Sequence, residues 1–333
     1  MRQVVLAQAL TARPEAADFQ LVAAPEPACP AGGVVVAVRH ISLDPYVGSR
    51  LRGRHMGEAP PRPGIDPIPG AIVGTVVESR AEGLAAGMLV HSMDGGWAER
   101  VALPAGQVRV ITPGAEPLSA HVGVLGMPGL TAWAGIVQLA RVGPGDVVLV
   151  DAAAGPVGGT VGQIARLKGA ARVVGIAGGP EKCALVTGRY GFDACVDYKA
   201  EGWQAALDAA LAGTPPTVHF ENVSTAMATL ALTRLAPYGR MVLCGLVDQY
   251  HADAPPPGLP AGLIVGKRAQ LSGLVVYDFY DRWDAFLAEV QPFVASGQLA
   301  FAEDVAHGLA EAPALFERLM EGRHVGKALV TLD

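Results

Sequence analysis

Asp151-Ala-Ala-Ala-Gly-Pro-Val-Gly-Gly-Thr-Val-Gly162 is the stretch best suited to chemistry, because it follows the apolar run VVLV and leads into an amphipathic helical pattern. A glycine-rich turn from strand to helix exposes backbone N–H groups and the positive end of the helix. Together these can hold a pyrophosphate that a side chain would keep away. The spacing here is Ala152-x-x-Gly155-x-x-Gly158, a relative of GxGxxG with alanine in the first glycine's place and Val157 offering its amide before the last glycine. Simple close packing of a helix on a strand can produce the same residues. A second strand at 172–176 completes strand, turn, helix and strand, and that order favours dinucleotide binding.

The end of the second strand decides which dinucleotide. A ribose 2′-hydroxyl is normally held by Asp or Glu at that point. Here the chain reads Ala177-Gly178-Gly179-Pro180-Glu181-Lys182. Gly178 and Gly179 leave room for a 2′-phosphate and Lys182 supplies positive charge, so NADPH is the expected cofactor. The alternative gives Glu181 the ribose and leaves Lys182 a solvated residue at a helix start.

Other chemistries find little support. His40, His55, His91, His121, His219, His251, His307 and His324 are dispersed with no HxxxH pair, so no catalytic zinc is expected. No GxSxG elbow is present. Cys244 lies in an apolar strand and reads as a core residue rather than a thiolate. With acids, bases and metal ligands this sparse, the cofactor must carry the difficult step.

The elements that position this turn follow a change of rhythm. Up to about residue 115, short strands at 4–8, 19–23, 34–39, 71–78, 88–92 and 98–103 alternate with turns, the pattern of an all-β unit. The proline-rich stretch 59–70 is loop. From about residue 118, β-branched runs at 147–151, 172–176, 194–197, 218–221, 241–244 and 271–276 alternate with alanine-rich helical stretches at 158–168, 180–190, 202–212, 225–236 and 281–296. That alternation predicts an α/β, doubly wound parallel sheet. A final strand at 328–332 can return to the first unit. The expected domains are therefore 1–118 completed by 297–333, and 119–296.

Composition bounds the rest. A chain of 333 residues with 51% hydrophobic residues is long enough for two cores and too apolar to be mainly disordered. Its net charge of −6, with no basic run, argues against nucleic acid or an anionic membrane as a partner. Cys29, Cys183, Cys195 and Cys244 are far apart and form no CxxC, which points to a reducing, cytoplasmic setting. The uncharged window 122–140 approaches bilayer length, but Pro128 and four glycines make it a buried turn plus helix. The apolar N-terminal stretch reads as a first strand rather than a signal, since Gln3 and Gln8 interrupt it.

Several segments in order resemble the zinc-free branch of the medium-chain dehydrogenase/reductase superfamily that holds prostaglandin reductases, leukotriene dehydrogenases and alkenal double-bond reductases. They are Ser42-Leu-Asp-Pro-Tyr46, Leu125-Gly-Met-Pro-Gly-Leu-Thr-Ala132, Ala152 to Gly158 with Gly162-Gln-Ile-Ala-Arg-Leu-Lys-Gly169, Gly191-Phe-Asp, Phe220-Glu-Asn-Val223 and Gly326-Lys-Ala. The resemblance covers nearly the whole chain. It implies a Rossmann-type domain inserted into a GroES-like β-barrel domain, a site in the cleft between them, and commonly a homodimer.

It also implies roles residue by residue. Lys182 grips the 2′-phosphate with Tyr198 beside it, and Asn222 lies near the dinucleotide, as does Cys244. Tyr250 is the expected donor to an enolate, directly or through the ribose hydroxyl, with packing against the proline run 255–257 as its plain alternative. Tyr46 lines the substrate pocket, with core packing its plain alternative, and Met127 and Thr131 approach the nicotinamide from the domain junction, with packing at a helix entry theirs. Where relatives carry Asn in Gly-Asp-Asn-Leu-Gly-Lys, this chain has His324, and the loop Gly245-Leu-Val-Asp-Gln-Tyr-His251 also departs from the pattern.

The activity implied is NADPH-dependent reduction of the carbon–carbon double bond of a small α,β-unsaturated aldehyde or ketone, with hydride going to the β-carbon. Three other readings stay open: a quinone reductase on the same fold, a dinucleotide-binding redox sensor or structural protein without turnover, and a zinc alcohol dehydrogenase.

Overall fold

The β-branched runs that the sequence offers as strands pair into separate sheets in two units, described by a computed structural model for residues 1–250 and 257–332. The chain passes through β1 (Arg2–Leu6), β2 (Phe19–Ala23), β3 (Gly33–Ser42), the short helix α1 (Tyr46–Leu51), β4 (Ile72–Ser79), β5 (Leu89–Ser92), β6 (Arg100–Pro104) and β7 (Arg109–Val110). It then forms α2 (Met127–Trp133), β8 (Val147–Val150), α3 (Pro156–Leu167), β9 (Arg172–Ala177), α4 (Pro180–Gly188), β10 (Ala194–Asp197) and α5 (Trp203–Ala210). The α/β alternation continues through β11 (Val218–Glu221), α6 (Thr225–Arg234), β12 (Arg240–Leu243), α7 (Ala261–Lys267), β13 (Gln270–Gly273) and α8 (Trp283–Ala295). Finally β14 (Glu303–His307), α9 (Ala312–Met320) and β15 (Lys327–Thr331) rejoin the first unit.

The first unit comprises Met1–Gly123 and Glu303–Asp333. Its larger sheet runs β14-β15-β3-β4-β5-β7, with β6 also on β3. Phe19, Trp97 and Phe316 interlock in its core, with ring centroids 5.5 Å apart for Phe19–Trp97 and 5.3 Å for Trp97–Phe316. The returning C-terminal segment is tied in by the buried Lys327, whose Nζ donates to the Leu43 carbonyl at 2.6 Å and to Asp44 Oδ1 at 3.1 Å.

The second unit, Val124–Ala302, has a parallel sheet in the order β10-β9-β8-β11-β12-β13. That is third-second-first-fourth-fifth-sixth, the dinucleotide-binding order, and the winding reverses between β8 and β11. VVLV of β8 is buried throughout because helices cover both faces of a parallel sheet.

The structure differs from the sequence reading at several boundaries. The units divide at 123/124 and 302/303, where 118/119 and 296/297 were expected. Residues 118–122 form a 3₁₀ turn, and the Ser42 hydroxyl donates to the Val122 carbonyl at 3.4 Å, which keeps that turn in the first unit. At the other end, Gln163 of α3 donates to the Ala300 carbonyl at 2.8 Å and accepts from its N–H at 2.7 Å, which holds Ala300 in the second unit. The strand expected over 271–276 stops at Gly273, because the chain enters a 3₁₀ run at Val276–Arg282. The window 122–140 becomes α2 followed by a π-helical turn, Ala134–Leu139, and no helix among the described residues is long and apolar enough to cross a membrane. His251 and, of the proline run 255–257, residues 255 and 256 lie outside the described residues.

Candidate functional site

The glycine pattern after β8 divides into two jobs. Gly155 caps α3 with Pro156 as its first helical residue, so the amides of Val157 and Gly158 sit in the turn whose N–H groups have no intrahelical partner. A Cβ on Gly158 would stand 2.5 Å from the Ala152 carbonyl oxygen and 2.9 Å from that of Asp151, so only glycine lets the helix start this close to the strand. Gly159 and Gly162 serve packing instead, since a Cβ there would run into the rings of Tyr190 at 2.6 Å and Phe192 at 1.9 Å. Ala152 has φ of +44°, a conformation the glycine of the usual motif adopts freely and alanine does not. A cradle that a single methyl would fill, at the positive end of a helix, fits a bound pyrophosphate.

At the far side of β9 stands the group of residues suited to the 2′-phosphate. A Cβ on Gly178 would meet the Tyr198 ring at 2.9 Å, its hydroxyl at 3.0 Å and the Lys199 Cε at 3.1 Å, so the glycine lets Tyr198 and Lys199 close over the end of the strand. Gly179, at φ of +104°, caps α4 and donates its N–H to Asp197 Oδ1 at 2.7 Å. The same Asp197 oxygen accepts the Lys199 N–H at 2.9 Å, and these two backbone donors hold its carboxyl below the usual range. Lys182 is half-buried in the first turn of α4, one residue after the exposed Glu181. The sequence gives Lys199 no role of its own, although it directly follows Tyr198; its position is fixed by the strand end rather than by a motif.

On the other side of the reversal point, the ends of β11 and β12 bring Asn222, Cys244 and Tyr250 together. Asn222 is buried; its backbone N–H donates to Asp151 Oδ1 at 2.6 Å and its side-chain amide to the Asp151 carbonyl at 3.2 Å. The Tyr250 hydroxyl and the Asn222 carbonyl oxygen both stand near Gly245, 3.3 and 3.4 Å from where its Cβ would be. Burial pushes the Tyr250 phenol up to about 12, aided by the nearby Cys244 and Tyr277 and countered by a hydrogen bond with the Leu246 backbone. Cys244 is likewise pushed up to about 12 by burial and by the charges of Asp151 and Glu221, so it is a thiol and not a nucleophilic thiolate.

The remaining expected residues lie elsewhere. Thr131 is buried in α2 and donates its hydroxyl to the Met127 carbonyl at 2.7 Å, which uses that proton within the helix. Met127, at the start of α2, is half-buried. Tyr46 opens α1 in the first unit, where its ring lies 4.9 Å from that of His55 and packs on the core. His324 is half-buried in the same unit, just ahead of β15.

Comparison with known proteins bears on this arrangement. Residues 2–111 match the family described as N-terminal domain of oxidoreductase, and residues 156–291 match zinc-binding dehydrogenase. The 2-alkenal reductase (NADP(+)-dependent) of Nicotiana tabacum is 34% identical across 100% of this chain and 97% of its own. Prostaglandin reductase 1 of Bos taurus is 33% identical over 95% of this chain and 94% of its own. The crystal structure of CurA in complex with NADPH from Vibrio vulnificus superposes with a TM-score of 0.91 at 32% identity, covering 100% of this chain and 99% of that one. NADPH is the cofactor, as the glycine-capped strand end and Lys182 led one to expect. This chain belongs to the medium-chain dehydrogenase/reductase superfamily, in its alkenal and prostaglandin reductase branch, and is an NADP-dependent oxidoreductase.

Proposed function

We propose that this protein reduces the carbon–carbon double bond of small α,β-unsaturated aldehydes and ketones, and that Tyr250 is the proton-bearing group of its site. The observation that carries this reading is the Tyr250 hydroxyl standing 3.3 Å from where a Cβ on Gly245 would be, its phenol pushed up to about 12 by burial and hence protonated throughout the neutral range. Bound NADPH supplies a hydride to the β-carbon. The electron pair of the double bond then moves to the carbonyl oxygen, and the chain must stabilise that enolate until its α-carbon takes a proton. Tyr250 Oη donates a hydrogen bond to the oxygen as charge develops there.

The other residues bind and orient. Amides of Val157 and Gly158, with Gly155 and Ala152 shaping the turn, face the pyrophosphate. Lys182, Tyr198 and Lys199 surround the 2′-phosphate where Gly178 leaves space. Asn222 and Cys244 border the nicotinamide half. In this proposal Met127 and Thr131 contact the nicotinamide, Tyr46 the substrate and His324 the cofactor. A homodimer belongs to it too, supported by β13 as the edge strand of its sheet with Val265 and Val275 exposed nearby, and sedimentation measures it.

The test is a panel of open-chain enals, enones and simple quinones, each scored for NADPH consumption and for product. Saturated carbonyl products from the enals and enones are expected. Consumption with quinones alone would make the protein a quinone reductase, and none with any acceptor would leave a dinucleotide-binding protein.

A further inference from the structure

His219 and Glu221 lie two residues apart on β11, so their side chains share one face, and Asp151 directly follows β8 alongside. All three are fully buried. His219 Nε2 is 3.1 Å from Glu221 Oε2 and 3.7 Å from Asp151 Oδ2, and one ligand atom from each residue falls within 4.8 Å of the others.

The opposite end of each side chain is already engaged by backbone. His219 Nδ1 lies 3.2 Å from the Leu149 carbonyl, to which only an N–H can bond. Asp151 Oδ1 accepts from Asn222 N at 2.6 Å, while Glu221 Oε1 accepts from Val223 N at 2.6 Å and Ser224 N at 2.8 Å. With Nδ1 carrying the imidazole proton, Nε2 presents a lone pair. Three electron-pair donors thus converge, and among the described residues Asp151 Oδ2 meets no N–H donor, so that the Asp151 carboxyl faces that of Glu221 directly. Something positive must stand among them, either protons or a metal ion.

We propose that Asp151, His219 and Glu221 form a binding site for a first-row divalent cation at the reversal point of the parallel sheet. Ligand atoms on a tetrahedral ion with bonds of about 2.0–2.2 Å are about 3.3–3.6 Å apart, and the two measured separations bracket that range. A divalent ion, two carboxylates and a neutral imidazole leave no net charge buried. The backbone bond to each ligand's far end is the arrangement that orients metal ligands. The ion would be structural: Asp151 adjoins the phosphate turn and Glu221 adjoins Asn222, so it would brace both loops.

The experiment uses the whole chain, stripped with a chelator, reloaded with Zn²⁺, desalted and analysed for metal. One zinc per chain is expected. Asp151→Asn and His219→Gln, each checked for native circular dichroism, should bind at least about tenfold more weakly. Co²⁺ in the wild-type protein should give visible d–d absorption, a readout that needs no variant to fold. Wild-type protein that retains no zinc and gives no Co²⁺ band overturns the proposal, leaving a cluster that shares protons. Zinc retained equally by both folded variants overturns it as well.

Discussion

The two ends of the proposed dinucleotide site are built on opposite electrostatic plans. At the adenosine end, Tyr198 is 46% exposed and Lys199 is exposed, so recognition there is a matter of charge in water. At the reacting end, Asn222 is buried and the Tyr250 phenol is pushed up to about 12, so chemistry there depends on withholding water from one proton. A single sheet serves both, because β9 and β10 lead into the segments that carry Lys182, Tyr198 and Lys199 while β11 and β12 lead into those that carry Asn222, Cys244 and Tyr250. Discrimination between cofactors and catalysis should therefore separate cleanly on mutation.

The largest effect should come at the reacting end. Tyr250→Phe should lower kcat with an enone by about 10²–10³-fold and leave the KM for NADPH within about twofold, the pattern of a group used in the transition state. A kinetic titration checks both, and a rise in KM alone would erase the contrast between the ends. Next in size, Lys182→Ala combined with Lys199→Ala should raise the KM for NADPH by about 10–100-fold with NADH little changed, the worth of two charge-assisted contacts in partly screened surroundings. Equal losses with both cofactors would remove the 2′-phosphate from this surface.

Salt and pH sharpen the comparison further. Raising ionic strength from about 0.05 to 0.5 M should weaken NADPH binding several-fold through Lys182 and Lys199 while kcat at saturating cofactor stays level. The Tyr250 pKa rises on folding from 10.0 to about 12, so the stability linked to it is full below about pH 10 and is lost as pH climbs from there to about 12. Denaturant midpoints of the wild type and Tyr250→Phe should accordingly converge or cross in that window. The smallest effect is local: Ala152→Gly should be neutral or stabilise by up to about 1 kcal/mol, because relief of the positive φ is partly offset by glycine's greater freedom when unfolded. A clear loss of stability would show that the turn's strain is not at Ala152.

Much of the sheet was legible because β-branched runs such as VVLV and VVGIA have no other economical use than buried parallel strands. The glycine turn and the empty end of the second strand were legible for the same reason, since local chemistry sits in consecutive residues. What escaped depends on pairing between distant segments. His219 looked like one of eight scattered histidines, yet strand register sets it beside an aspartate 68 positions earlier in the chain. The only local hint was His-x-Glu, two residues on one face of a strand. Likewise β14 and α9 carry little periodic signal of their own; α9 is fixed by Phe316 reaching Trp97 and Phe19. The short α7 stayed hidden because Gly262 and Gly266 weaken any helical reading of 261–267.

The central claim is that hydride enters at the β-carbon of an enone while a buried phenol steadies the oxygen. NADPH fully deuterated at C4 of its nicotinamide, turned over with an open-chain enone, tests it through NMR of the product. The account predicts a saturated ketone with one deuterium, on the former β-carbon. Deuterium on the alcohol-bearing carbon of an allylic alcohol, or no labelled product at all, would contradict it.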